Sequence, residues 1–221
     1  MQLADVQQVV MTLAAAVGAY AALSGVNAWR KQLTGKTEYE VGVAVLRALY
    51  KIREAVKHVR RPYMRLGEVV AAVGAATGTP LDVTDIDDFD EFMETGRSVA
   101  YESRWRGVSE ALQDLDVARL EAEVIWGGEA SSLLSELRSL VNELRLSLND
   151  YLEDREDPEI MEYTSEQRAQ LKAIVIGRGD AGDEFNNRVE ALVARIEQFV
   201  RPLLGHKRRR LEKRSKATRQ G

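Results

Sequence analysis

The residues best placed by type and spacing to do chemistry are Gly177-Arg178-Gly179-Asp180-Ala181-Gly182, a literal G-x-G-x-x-G. In a dinucleotide-binding turn, Gly177, Gly179 and Gly182 would let the backbone approach a pyrophosphate seated on the next helix's N-terminus. The apolar run Ala173-Ile174-Val175-Ile176 precedes the turn and a helical pattern follows it. The sequence offers no further strand-like segment to build the parallel sheet such a turn needs. Asp180, Asp183 and Glu184 would repel a phosphate at that position. Leu171, Ile174 and Val175 also share a helix face. The stretch reads as a Gly-rich connection between helices, with nucleotide binding the lesser expectation.

Other constellations fall short sooner. The chain has no cysteine and two histidines, His58 and His206, so thiolate chemistry and Cys-ligated metals are excluded. Glu54 and His58 lie one helical turn apart, which reads as an ion pair, because no second pair at ligand spacing completes a metal site. Asp85-Ile86-Asp87-Asp88-Phe89-Asp90 is a poor calcium loop: position five is Phe89, position six is Asp90, and position twelve is Gly96. It reads as an exposed acidic connector over 82–94, with Phe89, Phe92 and Met93 packed inward and weak cation binding the lesser expectation. No G-x-S-x-G turn or P-loop is present. No catalytic residue, cofactor or metal is expected, and an enzyme ranks behind binding functions.

The remaining chemistry is charge. Residues 205–221 (GHKRRRLEKRSKATRQG) hold eight basic side chains against Glu212, among them Lys207, Arg208, Arg209, Arg210, Lys213 and Arg214. Beside an anionic leaflet each such cation contributes about 1 kcal/mol. The same residues would grip RNA or DNA phosphates, though no aromatic residue is interleaved for base stacking. Residues 66–204 carry 30 acidic side chains against 13 basic, so binding to the protein's own body and a plain solvated tail also stand.

The element that must position this tail is at the other end of the chain. Val6 to Trp29 is a run of 24 uncharged residues bracketed by Asp5 and Arg30. As a helix it reaches about 36 Å, enough to cross a hydrocarbon core of about 30 Å. A cleaved signal peptide has a small-x-small site at Ala19-Tyr20-Ala21, but no basic residue precedes Arg30. A helix lying in the interface should have a cationic face, which this run lacks, and a buried soluble helix would more often carry a charge. The run therefore reads as one transmembrane helix. Trp29, Arg30 and Lys31 suit the membrane interface, and the excess of Lys and Arg after the span places the N-terminus outside and the rest in the cytoplasm. Ala14, Gly18 and Ala22 share one face and would let two spans approach closely.

Beyond residue 36 the apolar spacing is helical throughout. Thr37 and Glu40 make a capping box ahead of a helix to about Arg60, with Val41, Val45, Leu49, Ile52, Val56 and Val59 on its stripe. A second helix is expected from about Arg97 to Trp126, carrying Tyr101, Trp105, Val108, Leu112 and Leu115, then Val117, Leu120 and Val124 after a small shift. Gly127-Gly128 should turn the chain into an antiparallel helix over about 131–153, with Leu133, Leu137, Val141, Leu144, Leu148 and Tyr151 on one face. Thr164 should cap a short helix, and Asp183-Glu184 should open a last one ending at Pro202. The expected architecture is all-α: a transmembrane anchor with a basic collar (1–36), a cytoplasmic antiparallel bundle of about four long helices plus short ones (37–204), and a disordered basic tail (205–221).

The segments Trp29-Arg30-Lys31-Gln32-Leu33, Thr37-Glu38-Tyr39-Glu40, Leu46-Arg47-Ala48-Leu49-Tyr50-Lys51-Ile52-Arg53 and Val124-Ile125-Trp126-Gly127 resemble a group of bacterial proteins without assigned activity. Those proteins place an N-terminal apolar segment ahead of helices. The resemblance implies a bacterial inner-membrane protein and supplies no reaction. The expected role is a membrane-anchored interaction or scaffold module whose partners are the bilayer, anionic headgroups, and another protein or a second copy, with nucleic acid less favoured. A membrane-tethered sensor or effector of stress or phage-defence type is the alternative.

Overall fold

A computed structural model describes residues 35–218 except 83, 85, 87 and 160, with side chains described as far as Leu204. All regular structure among these residues is helical. Helix α1 covers residues 35–59, α2 Leu66–Thr77, α3 Phe89–Trp126, α4 Gly128–Glu156, α5 Ser165–Val175 and α6 Glu184–Thr218. Four are long and two are short, as the apolar spacing predicts. No helix among the described residues is long and apolar enough to cross a membrane. The run 6–29 lies outside the described residues, and with it Ala14, Gly18, Ala22, Trp29, Arg30 and Lys31.

Ion pairs between neighbouring helices fix their directions. Lys51 meets Asp114 and the Val59 carbonyl meets Arg104, so α1 runs against α3; Arg138 meets Asp116 while Arg155 meets Glu94, so α3 runs against α4. Glu143–Arg188 and Glu136–Arg195 set α4 against α6, and Lys57–Glu190 with the Tyr50–Glu197 hydrogen bond sets α6 against α1. The result is an up-down-up-down four-helix bundle, with α2 inserted before α3 and α5 before α6. Val45, Leu49, Ile52, Val56, Leu115, Leu137, Leu144, Leu148 and Ile196 are almost fully buried along its axis. Burying each such side chain contributes about 1.5–3 kcal/mol, while the surface pairs add little singly.

Several expected boundaries move. The chain is already helical at residue 35, so Thr37 lies inside α1, and Glu40 sits 3.6 Å from Lys36, one turn back. Helix α3 starts eight residues earlier than expected, because Asp88 caps it by accepting from the Asp90 and Glu91 amides. Phe89 then points outward, half exposed, while Phe92 and Met93 pack against Val69, Ala72 and Ala100 beneath α2. The stripe of α3 does not shift after Leu115. Its 3-4 rhythm continues through Ala118 and Ala122, both buried, and leaves Val117, Leu120 and Val124 exposed. Pro202 does not end α6, which runs through it to Thr218. Thr164 and Gln167 form a full capping box on α5.

Candidate functional site: the two ends of the bundle

At one end of the bundle two buried arginines tie the short elements to the long ones. The α1 helix stops where Pro62 disfavours helical geometry at Arg61, exposing its last carbonyls. Arg104, projecting from α3 and 4% exposed, donates to the carbonyls of Val59, Arg61 and Tyr63 and to the Glu68 carboxylate. A guanidinium in this position offsets the negative end of the α1 dipole. Donation from Arg104 holds the Glu68 carboxyl below its usual range, against the opposing effect of burial.

Arg60 does the same for α5. It donates to the carbonyls of Ile174 and Ala173 and, at 2.8 Å, to Oδ1 of Asp183, while its guanidinium stacks 4.7 Å from the Phe185 ring centroid. Its own carbonyl accepts from the Gly177 amide at 2.7 Å. A Cβ at Gly177 would come within 3.0 Å of that carbonyl, so the close approach requires glycine.

This geometry decides how the Gly-rich loop is used. Residues 173–175 are the last turn of α5 and not a strand. The Asp183 carboxylate accepts from the Arg178 and Asn186 amides as well as from Arg60. An internal carboxylate thus occupies the place at the N-terminus of α6 where a phosphate would sit. Burial pushes the Asp183 carboxyl up, but donation from Arg60 and the two amides outweighs it and holds the group below its usual range. Gly179 serves the loop through its positive φ of 72°, and Gly182 donates to the Asp180 carboxylate. Gly177, Gly179 and Gly182 therefore build a capping turn that joins α1, α5 and α6.

No family model, curated protein or solved structure matches this chain. The resemblance carried by residues 29–33, 37–40, 46–53 and 124–127 therefore supplies no family.

Other expected sites resolve singly. Glu54 is taken by Arg53, and His58 is lowered by burial and by the cations of Arg61 and Arg104. No group of three metal-ligating side chains occurs among the described residues. Glu94 in the acidic connector is bridged by Arg155 and Arg97. These pairs line a cleft of about 440 Å³ with Thr95, Ser98, Leu152 and Glu156. Trp105 is buried under Arg145, and Trp126 meets Phe199 edge-on at 6.1 Å, so both pack within the bundle.

The opposite end collects the chain's unused chemistry. Helix α1 enters here, the α3–α4 turn at Gly127 lies here, and α6 leaves here. Gly42 of α1 faces Val200 and Leu204 of α6, and a Cβ on it would meet Leu204 Cδ2 at 2.6 Å. Beyond Leu204 the backbone of α6 stays helical through the basic positions Lys207, Arg208, Arg209, Arg210, Lys213 and Arg214. Their side chains lie outside the described residues.

The node of buried Arg60, Arg104 and Asp183 with the partly exposed Glu68 is the part that spacing alone misses. One signal was present: Arg104 falls on the core-facing stripe between Tyr101 and Val108, where a cation requires a buried partner.

Proposed function

We propose that this chain is a membrane-anchored helical interaction module. In this reading residues 6–29 cross the cytoplasmic membrane with the N-terminus outside. The bundle stands on the inner side, and the basic stretch after Leu204 binds anionic headgroups. The observation that carries it is the common exit. Residue 35, which follows the 24-residue apolar run, and Leu204, which precedes the basic stretch, lie at the same end of the bundle. A helix that continued from Leu204 to Thr218 reaches about 21 Å from that end, within range of a surface to which the run at residue 6–29 is anchored. Eight cations held there act at the concentration set by the tether, not by the bulk solution. The opposite end, with its capped loop and bridged acidic groups, remains as the surface turned toward the cytoplasm. This reading assigns no catalytic step.

The test is fractionation of the full chain carrying a C-terminal reporter, followed by vesicle binding with and without the residues after Leu204. The chain should pellet with membranes, and the reporter should be active only in its cytoplasmic form. Vesicles containing phosphatidylglycerol should bind the full chain more strongly than neutral vesicles, and truncation should abolish that difference. A chain that remains in the high-speed supernatant without detergent would refute the anchor. Equal binding to both vesicles, with truncation abolishing RNA binding instead, would refute the role given to the tail.

A further inference from the structure

Val117, Leu120 and Val124 are 59%, 56% and 83% exposed, on the side of α3 opposite Ala111, Leu115, Ala118 and Ala122. No other helix among the described residues presents three large apolar side chains in line to solvent. Followed toward the start of α3, the same line reads Gln113, Glu110 and Arg106, all exposed. The apolar portion is thus confined to the half nearest the end where α1 enters and α6 leaves, and Gly127 terminates it.

We infer that this stripe is the seam of a parallel, two-fold dimer between two copies of the chain. The inference rests on the membrane-anchored reading. The spacing 117-120-124 is the a-d-a of a heptad, and its composition is valine at both a positions with leucine at d. β-Branched residues at a with leucine at d favour two parallel strands. Two copies anchored in one bilayer present α3 in the same sense. A two-fold axis along the bilayer normal then sets each of the three residues against its own counterpart.

The area makes the seam depend on the tether. Three side chains fall far short of the roughly 800 Å² per partner of a stable interface, so free bundles would not associate through them at ordinary concentration. Confinement to a membrane raises the effective concentration enough for a small seam to be occupied. The flanks set its strength. Asp116 and Glu121 occupy the g and e positions, so Asp116 of one copy faces Glu121 of the other. Arg138, whose guanidinium donates to Asp116, partly offsets this like-charge pair.

Because the chain has no cysteine, Val124→Cys introduces a single thiol. The full-length variant in native membranes, oxidised mildly, should give a disulfide-linked species of twice the chain mass. Leu146→Cys, 65% exposed on α4, should give none. Adding Leu120→Glu to Val124→Cys should abolish the dimer while the melting temperature stays unchanged. Adding Glu121→Lys should increase its yield several-fold by turning the Asp116 contact attractive. Failure of Val124→Cys to dimerise, equal dimer from Leu146→Cys, insensitivity to Leu120→Glu, or a crosslink to a polypeptide of another mass would each overturn the seam. Sedimentation of the same samples scores the anchor separately. A monomer that pellets overturns the seam alone, whereas a chain in the supernatant overturns the anchor on which it rests.

Discussion

Arg60 donates to Asp183 across a 2.8 Å contact in which each side chain is only 3% exposed, closing the gap between the end of α1 and the start of α6. Two charges so placed have lost most of their hydration, and their mutual attraction compensates only while both remain. Asp183→Ala removes the partner of a buried guanidinium and the cap of α6 together. It should cost about 3–5 kcal/mol, read as a lower urea midpoint at unchanged slope. The pair Arg60→Met with Asp183→Asn, which leaves no buried charge, should recover part of that loss. If the double variant is less stable than Asp183→Ala alone, the ion pair is a net contributor to stability beyond the cost of its desolvation.

Acid should weaken the fold in two windows. Burial, followed by the cations of Arg61 and Arg104, lowers His58 from its usual 6.5, so the unfolded chain takes up that proton first and stability falls as pH drops below about 6.5. Glu68 and Glu94 are held below their usual 4.5 by donation from Arg104 and Arg155, and Asp183 below 3.8 by Arg60 and backbone amides against the upward effect of burial. These contributions are complete above the ordinary carboxylate range and disappear as pH falls through the lowered values. Melting temperature against pH should therefore show a shallow decline below about pH 6.5 and a steep one below about pH 4. His58→Gln should remove only the first; a profile that keeps it assigns the shallow decline to another group.

The sequence made the long helices legible because their cores repeat at three and four residues over many turns. Val41 to Val59 and Leu137 to Leu148 lie where that rhythm puts them, all buried. It failed where a small residue keeps the register. Large apolar residues at 117, 120 and 124 outweigh alanines at 118 and 122 in any reading by hydrophobicity, yet contact volume decides burial. The Gly-rich loop could be weighed against phosphate binding from its acidic neighbours, but not assigned to Arg60, which lies 123 positions before Asp183. Contacts of that separation have no local pattern; only an arginine on a core-facing stripe, as at 104, announces that acceptors must converge on it, here three backbone carbonyls and the Glu68 carboxylate.

The contact between α2 and α3 is tightest where α3 lacks a side chain. Gly96 faces Val69, which is fully buried, and a Cβ would overlap Cγ1 of that valine and approach Val73 Cγ2 at 3.2 Å. Gly96→Ala gains about 1 kcal/mol of helix propensity in α3, but Val69 cannot retreat, and overpacking of this kind costs about 1–3 kcal/mol. The net effect on global stability should be small, with the strain taken up by α2. Amide exchange over residues 69–77 should accelerate at least several-fold while α4 and α6 exchange as before. Uniform acceleration across all helices would show that α2 is not a separately yielding element.

The turn between α3 and α4 separates backbone cost from packing cost. Gly127 has φ 79° and ψ −167°, a conformation essentially restricted to glycine, while nothing lies within 4 Å of where its Cβ would stand. Gly128, the first residue of α4, has equally open surroundings and no positive φ. Gly127→Ala should therefore destabilise by about 1–3 kcal/mol through the backbone alone. Gly128→Ala should be neutral or stabilise by up to about 1 kcal/mol, since it restricts the unfolded chain and suits a helix. Urea midpoints of the two full-length variants decide the matter. If both shift equally in the same direction, the turn is not held by the left-handed conformation of Gly127, and the antiparallel alignment of α3 and α4 must come from their side chains, beginning with Asp116–Arg138 and Glu94–Arg155.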